Sequence, residues 1–203
     1  MIYFSDVDAV AKLAACGFLP WLPELLGVKE GEISIRYLGS LRNRLNRQKK
    51  KLANKAYQKH LETFCSKYSM VAGTGNVTRQ EELLRSGMDV GEALLFAEAE
   101  ATGGIVVTGD KRALLDYILA STVTERAKIK VICWEQLLLR VHQLYGYESL
   151  KQGCCAGLSC DGLLRIVFSN GLITQETDVL EGICSYLNQV KEYSGDLLVP
   201  FDF

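Results

Sequence analysis

Short, β-rich apolar runs alternate with amphipathic stretches over residues 1–146, and this alternation limits the fold more than any other feature of the chain. Ile2–Ser5, Ile105–Thr108 and Lys130–Trp134 predict buried strands, and residues 32–37 predict a further strand or a strand leading into a helix. Strands that alternate with helices predict a mostly parallel sheet covered on both faces. Helices are predicted in between, over residues 7–16, 22–26, 38–68, 79–85, 89–103, 111–120 and 135–145.

After Gly146 the strand pattern ends. Residues 150–168 and 176–193 predict two helices joined by a turn at Ser169-Asn170-Gly171, with an extended tail to Phe203. We therefore predict an α/β domain over residues 1–146 and a helical C-terminal extension over residues 147–203. A length of 203 residues suits this organisation, and 48% hydrophobic with 23% charged residues is typical of an ordinary globular protein.

The composition indicates a cytoplasmic protein. No apolar run is long enough to cross a membrane, and the first residues lack the basic start and cleavage site of a secretory signal. The seven cysteines are scattered and odd in number, which predicts reduced thiols. Cys154, Cys155 and Cys160 cluster without the paired spacing of a zinc site, and no histidine lies near them.

Positive charge is concentrated in one segment. No acidic residue lies between Ile33 and Leu61, although the whole chain has a net charge of −1. Such a separation favours the approach of a polyanion to one face, and it is equally typical of a solvated helix whose lysines maintain solubility. The basic residues of this segment that carry the argument are Arg42, Arg44, Arg47, Lys49, Lys50, Lys51, Lys55 and Lys59.

Acidic residues follow two of the predicted strands. Asp6 ends the first strand with Asp8 two positions later, Asp110 follows the strand at 105–108, and Glu92 opens the helix before that strand. Ligands of parallel sheets bind at the carboxyl ends of the strands. Clustered carboxylates repel one another unless a divalent cation neutralises them, and a chain with only two histidines favours an all-oxygen site for Mg²⁺ or Mn²⁺.

Helix capping is the alternative role for each of these acids. Asp8 fits the N-cap of a helix beginning at Ala9, and Asp89 with Glu92 fits a capping box. Asp6 is harder to explain in this way, because an acid at the end of a buried strand is costly to desolvate. One shared pocket accounts for the three acids together better than three separate caps do.

Three short motifs resemble the PIN-domain pattern: Asp6-Val7-Asp8-Ala9-Val10, Gly91-Glu92-Ala93-Leu94-Leu95 and Thr108-Gly109-Asp110-Lys111-Arg112. The likeness covers about residues 1–140, and the Gly-Glu-Ala form is most similar to PIN-like toxins of prokaryotic toxin–antitoxin systems. The resemblance implies a three-layer α/β/α fold and a metal-dependent ribonuclease. It also implies Asp6, Glu92 and Asp110 as catalytic metal ligands with Asp8 beside them, an antitoxin-like partner and a homodimer.

The sequence departs from that pattern at one position. PIN nucleases usually add a carboxylate from the helix after the second strand, where this chain has no acid and Arg36 lies close to the expected position. Asp116 is a poor substitute, because six residues place it about 240° around a helix from Asp110. A catalytically degenerate module that binds nucleic acid or protein is therefore the alternative function.

RNA is the expected substrate, with DNA as the alternative. The basic segment is predicted to attract the nucleic-acid backbone, and Lys111 and Arg112 stand where they can contact phosphates. Asp6-Val7-Asp8 also resembles the nucleophile motif of haloacid-dehalogenase-like phosphatases. That family requires a second acid after Gly109-Asp110, at a position where this chain has Leu114.

Overall fold

The computed structural model describes residues 1–28, 34–43, 55–73 and 76–201. Its sheet consists of five strands in the order β3-β2-β1-β4-β5, and all neighbouring pairs are parallel. The predicted α/β class with a parallel sheet is confirmed. The strands are β1 (Ile2–Ser5), β2 (Ser34–Tyr37), β3 (Ser69–Met70), β4 (Ile105–Thr108) and β5 (Lys130–Cys133).

Helices connect the strands and cover the sheet. Short 3-10 turns at Leu19–Trp21, Leu158–Cys160, Gly171–Ile173 and Gly195–Leu197 complete the described elements. None of the helices in the described ranges is long and apolar enough to cross a membrane. The helices are α1 (Val7–Ala15), α2 (Leu22–Leu25), α3 (Lys55–Lys67), α4 (Val77–Arg85), α5 (Val90–Thr102), α6 (Lys111–Leu119), α7 (Val123–Arg126), α8 (Trp134–Ala156), α9 (Gly162–Val167) and α10 (Glu176–Ser194).

The chain changes direction across the sheet at β1. It moves from β1 through β2 to β3, and then returns to the other side of β1 to form β4 and β5. Because crossover connections between parallel strands are right-handed, opposite directions place the connecting helices on opposite faces. Accordingly α1 packs against α3, whereas α5 packs against α4 and contacts β1 and β4. This arrangement is consistent with three α/β/α layers.

The central strands are buried because helices cover both faces. Phe4 of β1 and Val106 of β4 are completely inaccessible, and every residue of β4 is buried. Gly104 is needed just before β4, since a Cβ atom there would lie 2.6 Å from the Phe4 ring. The same hydrophobic core includes Leu150 of α8 and Ile183 of α10, so the C-terminal helices pack into the interior of the α/β domain.

Several element boundaries differ from the predictions. The predicted helix over residues 150–168 is wrong: α8 continues to Ala156, and a separate α9 begins after Asp161, whose side chain accepts a hydrogen bond from Leu164 N. The helix predicted over residues 79–85 begins earlier, at Val77, because the Asn76 side chain caps it. The predicted division at residue 146 coincides with a bend within α8, where Gly146 has φ 77°.

The C-terminal tail covers one edge of the sheet. Leu198 forms a parallel bridge with Val131 of β5, and Val199 N donates a hydrogen bond of 2.9 Å to Val131 O. The carbonyl of Val199 accepts from the Gln136 side-chain amide of α8 at 2.7 Å. The tail is therefore fixed to both the last strand and the helix that follows it.

A buried arginine holds α4 against neighbouring elements. Arg79 is 4% exposed, and its guanidinium lies 2.9 Å from Glu100 of α5, 3.1 Å from Glu82 and 3.5 Å from Glu125 of α7. Burial alone would lower the pKa of Arg79, but the hydrogen bonds and charge of Glu100 raise it. The cluster links three helices on the α5 side of the sheet.

Candidate functional site

The three predicted acids lie at the carboxyl edge of the sheet, where β1 and β4 are neighbours. Asp6 directly follows β1, and its backbone N–H donates to Val107 O of β4 at 2.9 Å. Asp110 follows β4 by two residues, and Glu92 lies in the first turn of α5, which runs back along both strands. Since the chain reverses its direction at this strand pair, this edge is the crevice where α/β sheets bind ligands.

Asp6 is buried at 7% exposure, about as deeply as Glu92 at 6%. It occupies the N-cap position of α1, but its side chain makes no capping hydrogen bond. The Thr108 hydroxyl donates to Asp6 Oδ2 at 3.4 Å. Burial and then the charge of Asp8 raise the pKa of Asp6 to about 6, with a further contribution from Asp110, although the amides of Asp8 and Val7 act in the opposite direction. The carboxylate is therefore desolvated, and no lysine or arginine of the described residues forms an ion pair with it.

The capping alternative for Asp8 is wrong. Helix α1 begins at Val7, so Asp6 takes the N-cap position and Asp8 falls within the first turn. The Asp8 side chain instead turns to Lys12 of the next turn, whose Nζ lies 2.7 Å from Asp8 Oδ2. The Asp8 carboxylate therefore repels that of Asp6, and the ammonium of Lys12 pairs with Asp8.

Glu92 combines a capping role with a place in the pocket. Its backbone N–H donates to Asp89 Oδ1 at 2.8 Å, and Glu92 Oε2 accepts from Asp89 N at 3.2 Å, which is the predicted capping box. Burial raises the pKa of Glu92 to about 7, and the charges of Asp89, Asp110 and Asp6 add to the increase. The charges of Asp6 and Asp110 therefore act on Glu92 although both residues are distant from it in sequence.

Asp110 caps α6 with one oxygen. Asp110 Oδ1 accepts from Arg112 N at 2.8 Å and from Ala113 N at 3.3 Å. Its backbone N–H donates to Thr108 Oγ1 at 3.0 Å. The Thr108 hydroxyl therefore connects Asp6 to Asp110. The position of Thr108 at the end of a strand does not by itself predict this role.

Lys12 is a site residue that the sequence did not single out. Its ammonium contacts three acceptors: Asp8 at 2.7 Å, Asp161 at 2.8 Å and the carbonyl of Gly109 at 3.0 Å. Burial would lower the pKa of Lys12, but the hydrogen bonds to Asp161 and Asp8 raise it. The spacing of Asp8 and Lys12 is a helical ion-pair signal. Nothing local predicts the contribution of Asp161, which comes from the C-terminal extension.

The predicted nucleic-acid contacts occupy different environments. Lys111 Nζ lies 2.8 Å from the buried Glu135 and 4.4 Å from the centre of the Tyr186 ring, so it is engaged inside the protein. Arg42 donates to Tyr37 OH at 3.0 Å, and the exposed Arg112 lies 3.9 Å from Asp110. The remaining predicted residues, Arg44, Arg47, Lys49, Lys50 and Lys51, lie outside the described residues.

The donor set fits a hard divalent cation in its chemistry. The acids supply oxygen donors, and neither Asp6 nor Glu92 forms an ion pair with a lysine or arginine of the described ranges. The side chains do not form a complete set of metal ligands. In the described part of the chain, no three His, Cys, Asp or Glu residues lie close enough together to hold a metal ion. One oxygen each of Glu92 and Asp110 is instead bound to backbone N–H groups.

Comparison of the chain with protein-family models, with curated proteins and with solved structures gave no match.

Proposed function

We propose that the protein is a PIN-like, metal-dependent endoribonuclease that hydrolyses phosphodiester bonds at the carboxyl edge of β1 and β4. The observation that carries the proposal is the position of Asp6, Glu92 and Asp110 at one edge of the sheet, where burial first and neighbouring acids second raise the pKa of Asp6 and of Glu92. Clustered carboxylates without a cationic partner are costly unless a bound ion serves a function. The order of the sheet places them where ligands of α/β proteins bind.

Asp6, Glu92 and Asp110 would hold one or two Mg²⁺ or Mn²⁺ ions. A bound ion of this kind lowers the pKa of a water molecule and offsets the charge that develops on phosphoryl oxygens. Thr108 fixes the relative positions of Asp6 and Asp110 through its hydroxyl. Lys12 holds Asp8 by Oδ2, which leaves Asp8 Oδ1 to accept a hydrogen bond from a water and orient it.

Calorimetry and cleavage assays test the proposal together. Titration of the intact protein with Mg²⁺ and with Mn²⁺ should give binding heat that Asp6→Asn and Asp110→Asn abolish. Both variants should lose cleavage of a single-stranded RNA by at least about a hundredfold, since they remove direct ligands. Asp178→Asn, an exposed acid at the start of α10, is the matched control and should keep both activities. Full cleavage by Asp6→Asn would refute the assignment.

A degenerate binding module is the second candidate. It is favoured by the capping bonds that already engage Glu92 and Asp110, and by the absence of a finished ligand group in the described ranges. RNA or DNA binding without metal binding and without cleavage would favour this function. The phosphatase reading has less support, because Leu114 is buried in the core where that family places its second acid.

The toxin class of the resemblance adds two expectations about partners. An antitoxin-like protein would inhibit cleavage by covering the carboxyl edge, and a homodimer would be the form in solution. Co-purification of the neighbouring gene product and sedimentation of the isolated protein test these expectations separately from the chemistry.

A further inference from the structure

A cavity of about 320 Å³ lies beside α3, away from the acidic edge of the sheet. We call this cavity the α3 groove. Its size is at the lower end of the range of small-ligand pockets, about 300–1,000 Å³. The residues that line it are Leu19, Pro20, Lys59, His60, Thr63, Phe64, Lys67 and Tyr68.

Two rows of side chains on α3 form the groove. Lys59, Thr63 and Lys67 are spaced four residues apart and share one face of the helix, which gives a polar row with two positive charges. The adjacent row, one residue further along, supplies the rings of His60, Phe64 and Tyr68. Among the described residues, no acid lines the groove. The combination of cations and rings is typical of surfaces that bind single-stranded nucleic acids.

The rings are fixed in place. The centres of the Phe64 and Tyr68 rings lie 4.9 Å apart, and the ring planes are tilted by 56°. Phe64 also packs against Tyr37, with a tilt of 54° between the two rings. Lys67 Nζ stands 5.4 Å from the centre of the Tyr68 ring. A ring held in this way offers a stacking surface at small cost in conformational entropy.

His60 contributes a partly exposed ring to the wall of the groove. Its Nδ1 atom is inaccessible to solvent and has no hydrogen-bond partner. Buried polar atoms without partners are uncommon in folded proteins and call for an explanation such as a missing ligand. Since Nδ1 is inaccessible, a ligand in the groove would contact the exposed part of the His60 ring.

We propose that the α3 groove binds one nucleotide of a single-stranded RNA, with the base against Tyr68 and the phosphate between Lys59 and Lys67. The proposal rests on the proposed function, since it supplies a second contact for the same substrate. Helix α1 begins at the acidic edge and ends just before Leu19, and its 9 residues span about 13 Å. A strand a few nucleotides long therefore reaches from the carboxylates to the α3 groove.

The test is fluorescence anisotropy of a labelled ten-nucleotide RNA with the intact protein in EDTA, so that binding is measured without cleavage. Tyr68→Leu should weaken binding about tenfold through lost stacking, whereas Tyr68→Phe should bind as the wild type does. Lys59→Gln should weaken binding and reduce the slope of log K against log salt by about 0.7. Lys128→Gln, an exposed lysine near β5, is the matched control.

Failure of the groove and failure of the proposed function give different results. Both proposals are supported if Asp110→Asn abolishes cleavage and if Tyr68→Leu and Lys59→Gln are the variants that weaken RNA binding. If no cleavage is found but Tyr68→Leu still weakens binding, the groove stands and the nuclease does not. The groove proposal is overturned if wild type, Tyr68→Leu and Lys59→Gln bind the labelled RNA equally well. It is also overturned if inorganic phosphate competes with the RNA as well as uridine 5′-monophosphate does.

Discussion

Asp6→Asn is expected to stabilise the protein in the absence of metal while it removes the proposed activity. The carboxylate of Asp6 is buried beside Asp8 and Asp110 and forms no ion pair with a described cation. An amide of nearly the same shape removes the buried charge and keeps an oxygen for the Thr108 hydroxyl. The charge of Asp6 also contributes to the raised pKa of Glu92, so the substitution should lower that pKa.

The sign and size of the effect follow from the pKa of Asp6. An increase from 3.8 to about 6 corresponds to about 3 kcal/mol of unfavourable free energy in the charged folded state. Between these pH values the folded state binds more protons than the unfolded state, so the stability of the wild type falls as pH rises. The variant should gain up to about 3 kcal/mol above pH 7 and almost nothing below pH 4, by the same linkage.

Urea unfolding in EDTA at pH 4 and at pH 8 measures the difference, with Asp178→Asn as a control that should change stability by less than about 0.5 kcal/mol. Adding Mg²⁺ at about a hundred times its dissociation constant should stabilise the wild type by about 2.7 kcal/mol and leave Asp6→Asn unchanged. A variant that is destabilised equally at both pH values would show that the Asp6 charge is well accommodated, and the reasoning would fail.

Two further substitutions test the buried ion pairs by the same urea unfolding. Lys12→Met should cost about 3 kcal/mol, because it leaves Asp161 buried without its partner, and combining it with Asp161→Asn should recover part of that loss. Arg79→Met should cost about 3–5 kcal/mol, since Glu100 remains buried and unpaired. Arg85→Met, which removes an exposed ion pair, is the control for both. An equally large loss of unfolding free energy in this control would contradict the expectation that buried ion pairs cost more to break than exposed ones.

The sequence predicted that Asp6 and Asp110 lie at one edge of the sheet, because strand ends are local features. Asp6 and Asp110 each follow a strongly apolar run, and parallel strands bring such ends to one edge. The role of Lys12 was missed because two of its three acceptors, Asp161 and the Gly109 carbonyl, are distant in sequence. Hydrophobic periodicity carries no information about such contacts.

The missed fold elements have similar causes. Strand β3 has only two residues, Ser69 and Met70, both exposed, so it offers no alternating pattern to detect. The helix predicted over residues 150–168 is interrupted because Asp161 caps a new helix, and local side-chain capping competes with continuation of the previous helix. Apolar spacing alone does not distinguish one long helix from two short ones that pack on the same core.

The tail beside β5 has a consequence for any protein that binds by adding a strand. Leu198 and Val199 already occupy the outer side of β5, so backbone groups there are satisfied from within the chain. Among the described strands, the opposite end of the sheet is β3, which directly follows α3. A partner that extends the sheet at one of the described strands would therefore join at Ser69–Met70, next to the α3 groove, and would compete with the RNA proposed to bind there.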